Sequence, residues 1–220
     1  MHYQIEYASE TDAPGLGKTN ALAFAGGSVF NNVFPGSSSS ALMTHKARYA
    51  MKHLADPTTH VLKVIDPPTG EIVGYGRWHI PTALTGTSVP ALSTQGQAAA
   101  QDPLHCAPRP MNEALFAAFR DMLKSGRARH TTEKDMMLDL LATHPDYQGR
   151  GVGTALLRWG MDQADAWQVR IYLESTPKGY PMYTKHGWRP VEEVTIDFSQ
   201  NGGEGSEKFV IMIRDPVPVA

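Results

Sequence analysis

Residues 138–153 read LDLLATHPDYQGRGVG, Leu138 to Gly153. The apolar run from Met136 to Thr143, interrupted by one acid at Asp139, has the make-up of a strand buried in the interior of a sheet. Pro145 breaks it, and glycines at 149, 151 and 153 lead into a helical pattern from Gly151 to about Asp165. Glycines at a strand-to-helix corner have two readings. They merely permit a tight turn, or they let backbone N–H groups point into one concavity at the helix N-terminus. In the second case unpaired donors and the positive end of the helix dipole make a site for a phosphate or pyrophosphate, with Gln148 and Arg150 as added donors. Two rival phosphate motifs fail. A G-x-G-x-x-G begun at Gly151 would need glycine where Leu156 stands. Pro14-Gly15-Leu16-Gly17-Lys18-Thr19 ends like a P-loop, but Asp12 occupies the required first glycine and no apolar strand precedes it.

Outward from this stretch the chain alternates helix and strand signals. Tyr3, Ile5 and Tyr7 fall on one face of a short strand, and Ser9, Thr11 and Asp12 precede an apolar helical segment from about Asn20 to Phe24, ended by Gly26 and Gly27. Serines 37–40 open a second helix through Leu42, His45, Tyr49 and Leu54. Val61 to Ile65, the turn Pro67-Pro68-Thr69-Gly70 and Ile72 to Trp78 predict a hairpin. Residues 81–110, rich in Pro, Thr, Ser, Gln and Ala, predict a long loop, a place for binding function. Met111, Ala114, Leu115, Ala118 and Met122 recur at helical spacing, with Gly126 as the expected stop. Strand Val169–Leu173, a short helix from Pro181 to His186, and two final strands joined by a glycine-rich loop at 201–205 complete the reading. No internal repeat is found, and one domain over 1–220 is the economical expectation.

Composition excludes several classes. The 220 residues carry 20 Lys and Arg against 22 Asp and Glu, a net charge of −2, so no overall basic field recruits nucleic acid. No apolar run approaches the roughly 18 residues of a membrane span. The start MHYQIEYASE has neither a basic nor an apolar segment, so no secretory signal is expected and a cytoplasmic location is. The single Cys106 forms no internal disulfide and suits a reducing compartment, and the nine histidines show no metal-ligand spacing. His144, just before Pro145, reads as a loop residue.

Gln148-Gly149-Arg150-Gly151-Val152-Gly153 resembles the Q/R-x-x-G-x-G/A motif of the GNAT N-acetyltransferases, after a strand and a His-Pro-Asp-Tyr loop as in that family. Leu156-Leu157 continues the match, and Tyr183-Thr184-Lys185-His186-Gly187-Trp188 is similar to the family's closing Y-x-K/R-x-G-F/W signature. Tyr172 to Pro177 has a layout similar to the puromycin N-acetyltransferase group and its fungal-type relatives. The strong similarity covers about 136–190. It implies an α/β (α+β) GNAT fold, a mixed and mostly antiparallel sheet of six to seven strands, splayed in the middle and flanked by about four helices. It also implies acetyl-CoA as co-substrate, with no metal. By position, Leu141, Ala142 and Thr143 would meet the pantetheine, and Gln148, Gly149, Arg150, Gly151, Val152, Gly153 and Thr154 the pyrophosphate.

Acetyl transfer to an amine needs a base for the amine, a polarised carbonyl and an acid for the leaving thiolate. Asp139, four residues before Thr143, has a register similar to the strand glutamate of polyamine acetyltransferases; it serves as base or amine anchor, or else faces solvent or pairs with a cation such as Arg129. Glu174 competes for that role at the end of the next strand, or has a structural hydrogen-bonding role. Tyr183 matches the tyrosine that protonates the thiolate in the family, or is a packed helix aromatic. The family's strand-end asparagine is missing, which leaves Ser175 or Thr176 to contact the pantetheine. The expected function is transfer of acetyl from acetyl-CoA to a primary amine of a small molecule by direct attack, in a monomer or homodimer. A protein or peptide acceptor, and a non-catalytic CoA-binding protein of the same fold, are the alternatives.

Overall fold

The computed structural model describes residues 3–85 and 90–218. In chain order the elements are β1 (Ile5–Tyr7), α1 (Ala13–Ala23), α2 (Ser28–Val33), α3 (Ser39–Leu54), β2 (Thr59–Ile65), β3 (Ile72–His79), α4 (Thr82–Thr85), α5 (Thr94–Gln101), α6 (Glu113–His130), β4 (Met136–Thr143), α7 (Val152–Trp167), β5 (Ile171–Ser175), α8 (Tyr180–Lys185), β6 (Arg189–Asp197) and β7 (Ser206–Arg214). The seven strands have the order β1-β2-β3-β4-β5-β7-β6. Among the described residues four helices exceed ten residues (α1, α3, α6 and α7), in keeping with the about four flanking helices that the resemblance implies. Of the other four, all short, α8 is the predicted helix of Pro181 to His186, and α2, α4 and α5 were not read from the sequence.

The chain forms two compact units. One holds residues 1–25, 37–109 and 139–160, the other 26–36, 110–138 and 161–220. In the first unit β1 and β2 pair antiparallel, Ile5 opposite Val64, and β2 and β3 pair antiparallel from Thr59 opposite His79 to Ile65 opposite Ile72. Side chains of Leu16, Ala50, Leu54, Val61, Tyr75 and Ala142 form its core. Gly160 is a packing requirement there, since a Cβ would collide with the Trp78 ring. The predicted long loop proves partly ordered: α5 starts at Ser93, whose hydroxyl accepts from Gly96 N–H at 3.1 Å and donates to Glu10 at 2.8 Å. Residues 86–89 of that stretch lie outside the described residues.

In the second unit Met136–Leu138 of β4 pair parallel with Ile171–Leu173 of β5, and β5 pairs antiparallel with β7, Ile171 opposite Arg214. β6 and β7 form a long hairpin, and Tyr172, Ile211 and Ile213 anchor its core with Met137, Val191 and Val194. The expected helix stop at Gly126 is corrected. The helix runs on to His130, and Gly126 is buried because a Cβ there would meet Ile211 Cδ1 at 2.8 Å and the Tyr172 hydroxyl at 3.0 Å. The glycine serves close packing inside the helix.

Candidate active site

The glycine-rich corner in the first unit takes the shape its sequence predicts. Residues 145–147 make one 3₁₀ turn, and Gln148 Nε2 donates to the Thr143 carbonyl at 3.2 Å. Gly149 and Gly151 have φ of 74° and 89°, left-handed values that a side chain would strain. Nothing stands within 4 Å of where their Cβ atoms would be, so the backbone at these glycines faces open space. Ala155 N–H donates to the Gly151 carbonyl at 2.9 Å, so α7 begins at once, with no acidic side chain in its first turn. The other first-turn N–H groups and the dipole end suit an anion. Arg150 lies 5.1 Å over the Tyr147 ring, whose hydroxyl donates to Asp66 at 2.9 Å. This arrangement fits a phosphate or pyrophosphate group. Leu141, Ala142 and Thr143 continue β4 beyond the three residue pairs that it forms with β5.

Asp139 belongs to this first unit and is salt-bridged at 2.6 Å to Arg77 Nη2, both side chains about nine-tenths buried. The cation partner weighed from sequence, Arg129, pairs instead with Glu192 at 2.8 Å. Arg77 was missed because it lies in the hairpin, 62 residues from Asp139. The available signal was strand periodicity, since Tyr75 and Arg77 at i and i+2 share a face of β3. Burial works against the Arg77 cation, yet Asp139 and then Tyr75 raise its pKa above the ordinary value.

The second unit holds Glu174 and Tyr183. Glu174 is 6% exposed and accepts from Arg127 Nε at 2.8 Å, Arg127 Nη2 at 3.3 Å and the Tyr172 hydroxyl at 3.0 Å. Burial first, then the Glu174 charge, pushes the Tyr172 phenol far up. Arg127 in α6 and Tyr172 in β5 were not singled out in the sequence. Tyr183, 9% exposed, packs its ring 5.9 Å from Trp188. Burial alone raises its pKa well above 10, so the phenol stays protonated at neutral pH. Gly179 makes room: a Cβ there would lie 2.9 Å from the Tyr183 ring and 3.4 Å from Ser175 Oγ. This brings Tyr183 beside the end of β5, one residue after Glu174. Ser175 and Thr176 turn inward to the chain, Ser175 Oγ donating to the Thr176 carbonyl at 2.8 Å and Thr176 Oγ1 accepting from Gly179 N–H at 3.3 Å. His144 accepts from Asp146 N–H at 3.3 Å and stacks edge-on against Tyr147, as a loop residue does. Among the described residues no group of three or more His, Cys, Asp or Glu could hold a metal ion, and no helix is long and apolar enough to cross a membrane.

Comparison with known proteins agrees with this architecture. Residues 112–190 match the family model described as an acetyltransferase (GNAT) domain. A probable acyltransferase, SID5, from Ajellomyces capsulatus is 39% identical over 62 residues, 26% of this chain; the match spans about half of that relative, 46% of its length. An acetyltransferase from Stachybotrys chartarum is 24% identical over 199 residues, 87% of this chain and 83% of its own. The crystal structure of a histone acetyltransferase HPA2 and related acetyltransferase from Corynebacterium glutamicum has the same fold, with a TM-score of 0.61 at 20% identity over 100% of this chain and 99% of that one. The matched domain model takes in the Gly149–Gly153 loop and Tyr183 alike, so residues 112–190 are similar to a GNAT acetyltransferase domain and the solved structures share its fold.

Proposed function

We propose that the protein transfers acetyl from acetyl-CoA to a primary amine of a small molecule by direct attack in a ternary complex. One observation carries the proposal: the backbone of Gly149 and Gly151, open to space at the start of α7, a cradle for a pyrophosphate. Backbone groups of Gln148 to Thr154 would hold that diphosphate, and those of Leu141 to Thr143 the pantetheine arm. Bound there, acetyl-CoA supplies a thioester carbonyl as electrophile and a thiolate as leaving group. Tyr183, kept protonated by burial, is suited to give its proton to the departing sulfur as the new C–N bond forms and the C–S bond breaks. Asp139 and Glu174 are the acids available to take the amine proton, directly or through water. Each lies beside an arginine, which favours the ionised, accepting form but weakens it as a base.

The test is CoA release with purified protein across polyamines, aminosugars, arylamines, amino acids and peptides. Turnover on small amines and none on peptides supports the reading. Turnover confined to peptides transfers the assignment to a peptide acceptor, and tight acetyl-CoA binding with no turnover on any amine overturns it. Tyr183→Phe should lower kcat on the order of 10²-fold with acetyl-CoA affinity unchanged. Equal activity removes the tyrosine from the acid role.

A further inference from the structure

The first unit contains a second set of polar groups that the chemistry above leaves unused. On the inward face of β3, the Tyr75 hydroxyl and Arg77 Nε are buried without a hydrogen-bond partner among the described residues, and so is His53 Nε2 on α3. Tyr75 is 2% exposed. The three belong together: the Arg77 guanidinium lies 5.9 Å from the Tyr75 ring centre, and His53 is close enough to Arg77 and Asp139 for both charges to act on it. The Tyr75 hydroxyl feels the Arg77 charge, yet no hydrogen bond of good geometry joins them. Buried polar atoms left without a partner cost about 1–3 kcal/mol each, so three in one place mark a site built for something else to complete.

We propose that this face is an oxyanion subsite, and that the acceptor carries a carboxylate or phosphate group held by Arg77 Nε, the Tyr75 hydroxyl and His53. The proposal deepens the acetyl-transfer reading, on which it rests only for the identity of the molecule that bears the anion.

The charges point the same way. Among the described residues the acid beside this cluster is Asp139, which already accepts from Arg77 at 2.6 Å, so little negative charge remains to hold an ammonium group. The cations are crowded. Burial and then Arg77 lower Lys46 to about 7, burial and then Lys46 lower His45 to about 4, and burial and then Arg77 lower His53. Groups on the other packed elements are engaged. Lys18 of α1 pairs with Glu71, His60 and Lys63 of β2 bond Tyr7 and Asp12, His79 of β3 meets Thr59, Arg48 of α3 donates to the Asp102 carbonyl, and α5 has no titratable side chain. Tyr49 stacks on His53 at 5.5 Å and lies under Lys46 and Lys52. An oxyanion would favour the protonated forms of Lys46 and His53, so its binding should take up protons.

Calorimetry on the full chain at about pH 7.5, in two buffers of different ionisation enthalpy, tests this. The probes are glycine, 4-aminobutanoate and 6-aminohexanoate, each against its carboxamide, together with 2-aminoethyl phosphate. At least one anion should bind about tenfold or more tighter than its neutral counterpart, with net proton uptake, and Tyr75→Phe and His53→Gln should each weaken it by a similar factor. The phosphate arm separates the two oxyanion classes. Equal binding of anions and carboxamides, no anion binding, or binding without proton uptake overturns the proposal, and none of these needs a variant to fold. CoA release with the same compounds separates the two readings. Equal acetylation of carboxylates and carboxamides sinks the subsite and keeps the transferase. Anion binding with proton uptake but no turnover on any amine keeps the subsite and sinks the transferase.

Discussion

Arg77–Asp139 in the first unit and Arg127–Glu174 in the second use the same chemistry in opposite states of completion. Each joins an arginine to a strand carboxylate that is about nine-tenths buried or more, at 2.6 Å and 2.8 Å. Around Glu174 the donors close on one acceptor: two guanidinium nitrogens and the Tyr172 hydroxyl all bind it. Around Asp139 the corresponding donors, Arg77 Nε and the Tyr75 hydroxyl, remain unmatched, with His53 beside them. A tyrosine and an arginine accompany the acid in both places, so residue type alone does not distinguish a structural network from a binding one. What differs is satisfaction. A buried network with every partner in place fixes a strand end, and one short of an acceptor is held ready for a ligand.

The contrast breaks most sharply on removing each arginine. Arg127→Met should cost about 3–5 kcal/mol in urea unfolding, since it strands Glu174 buried and charged. Arg77→Met strands Asp139 in the same way and should cost a similar amount without ligand. A saturating oxyanion probe should stabilise the parent and Arg127→Met but not Arg77→Met, and equal stabilisation of all three would remove the distinction. A third variant addresses the cradle rather than the pairs. Gly151→Ala, with φ at 89° and open space around it, should lose about 1–2 kcal/mol through backbone strain and bind CoA more weakly. Gly205→Ala, at φ 78° in the β6–β7 loop, should show similar strain with CoA binding intact.

How much of this was legible in the sequence depends on range. The β4–loop–α7 corner is a local pattern, and its glycines, Pro145 and the strand acid lie within 15 residues, so the sequence located it with the right boundaries. The same holds for Tyr183 and its short helix. The partners of the two acids are set by strand pairing and helix packing. Nothing local links Asp139 to Arg77 in the preceding hairpin, or Glu174 to Arg127 on α6, and charge alone pointed to Arg129, which Glu192 captures. The short helix α5 was hidden for another reason. Its sequence TQGQAAAQ has no apolar stripe, and the Ser93 cap with its bond to Glu10, 83 residues away, marks where it begins.

The finest test of the comparison is a titration. Lys46 has its pKa lowered to about 7, by burial first and then by Arg77. Between about 7 and the ordinary lysine value the unfolded chain binds more protons than the folded one, so stability should rise with pH across that window. Below about 7 both states are protonated and the full penalty is present; above the ordinary value both are neutral and it is gone. Lys46→Met should flatten this rise, because it removes the group that the folded chain deprotonates early. Arg77→Met should narrow the window from its lower end by letting the Lys46 pKa climb. The second unit offers the counterpart, since His130 and then Arg129 bind Glu192 and hold its carboxyl below its ordinary range. Stability curves between about pH 7 and 10 should therefore change for Lys46→Met and stay parallel to the parent for Arg129→Met. An unchanged slope in the lysine variant would mean that the cations on α3 are relaxed, and the crowding that sets the first unit apart would be lost.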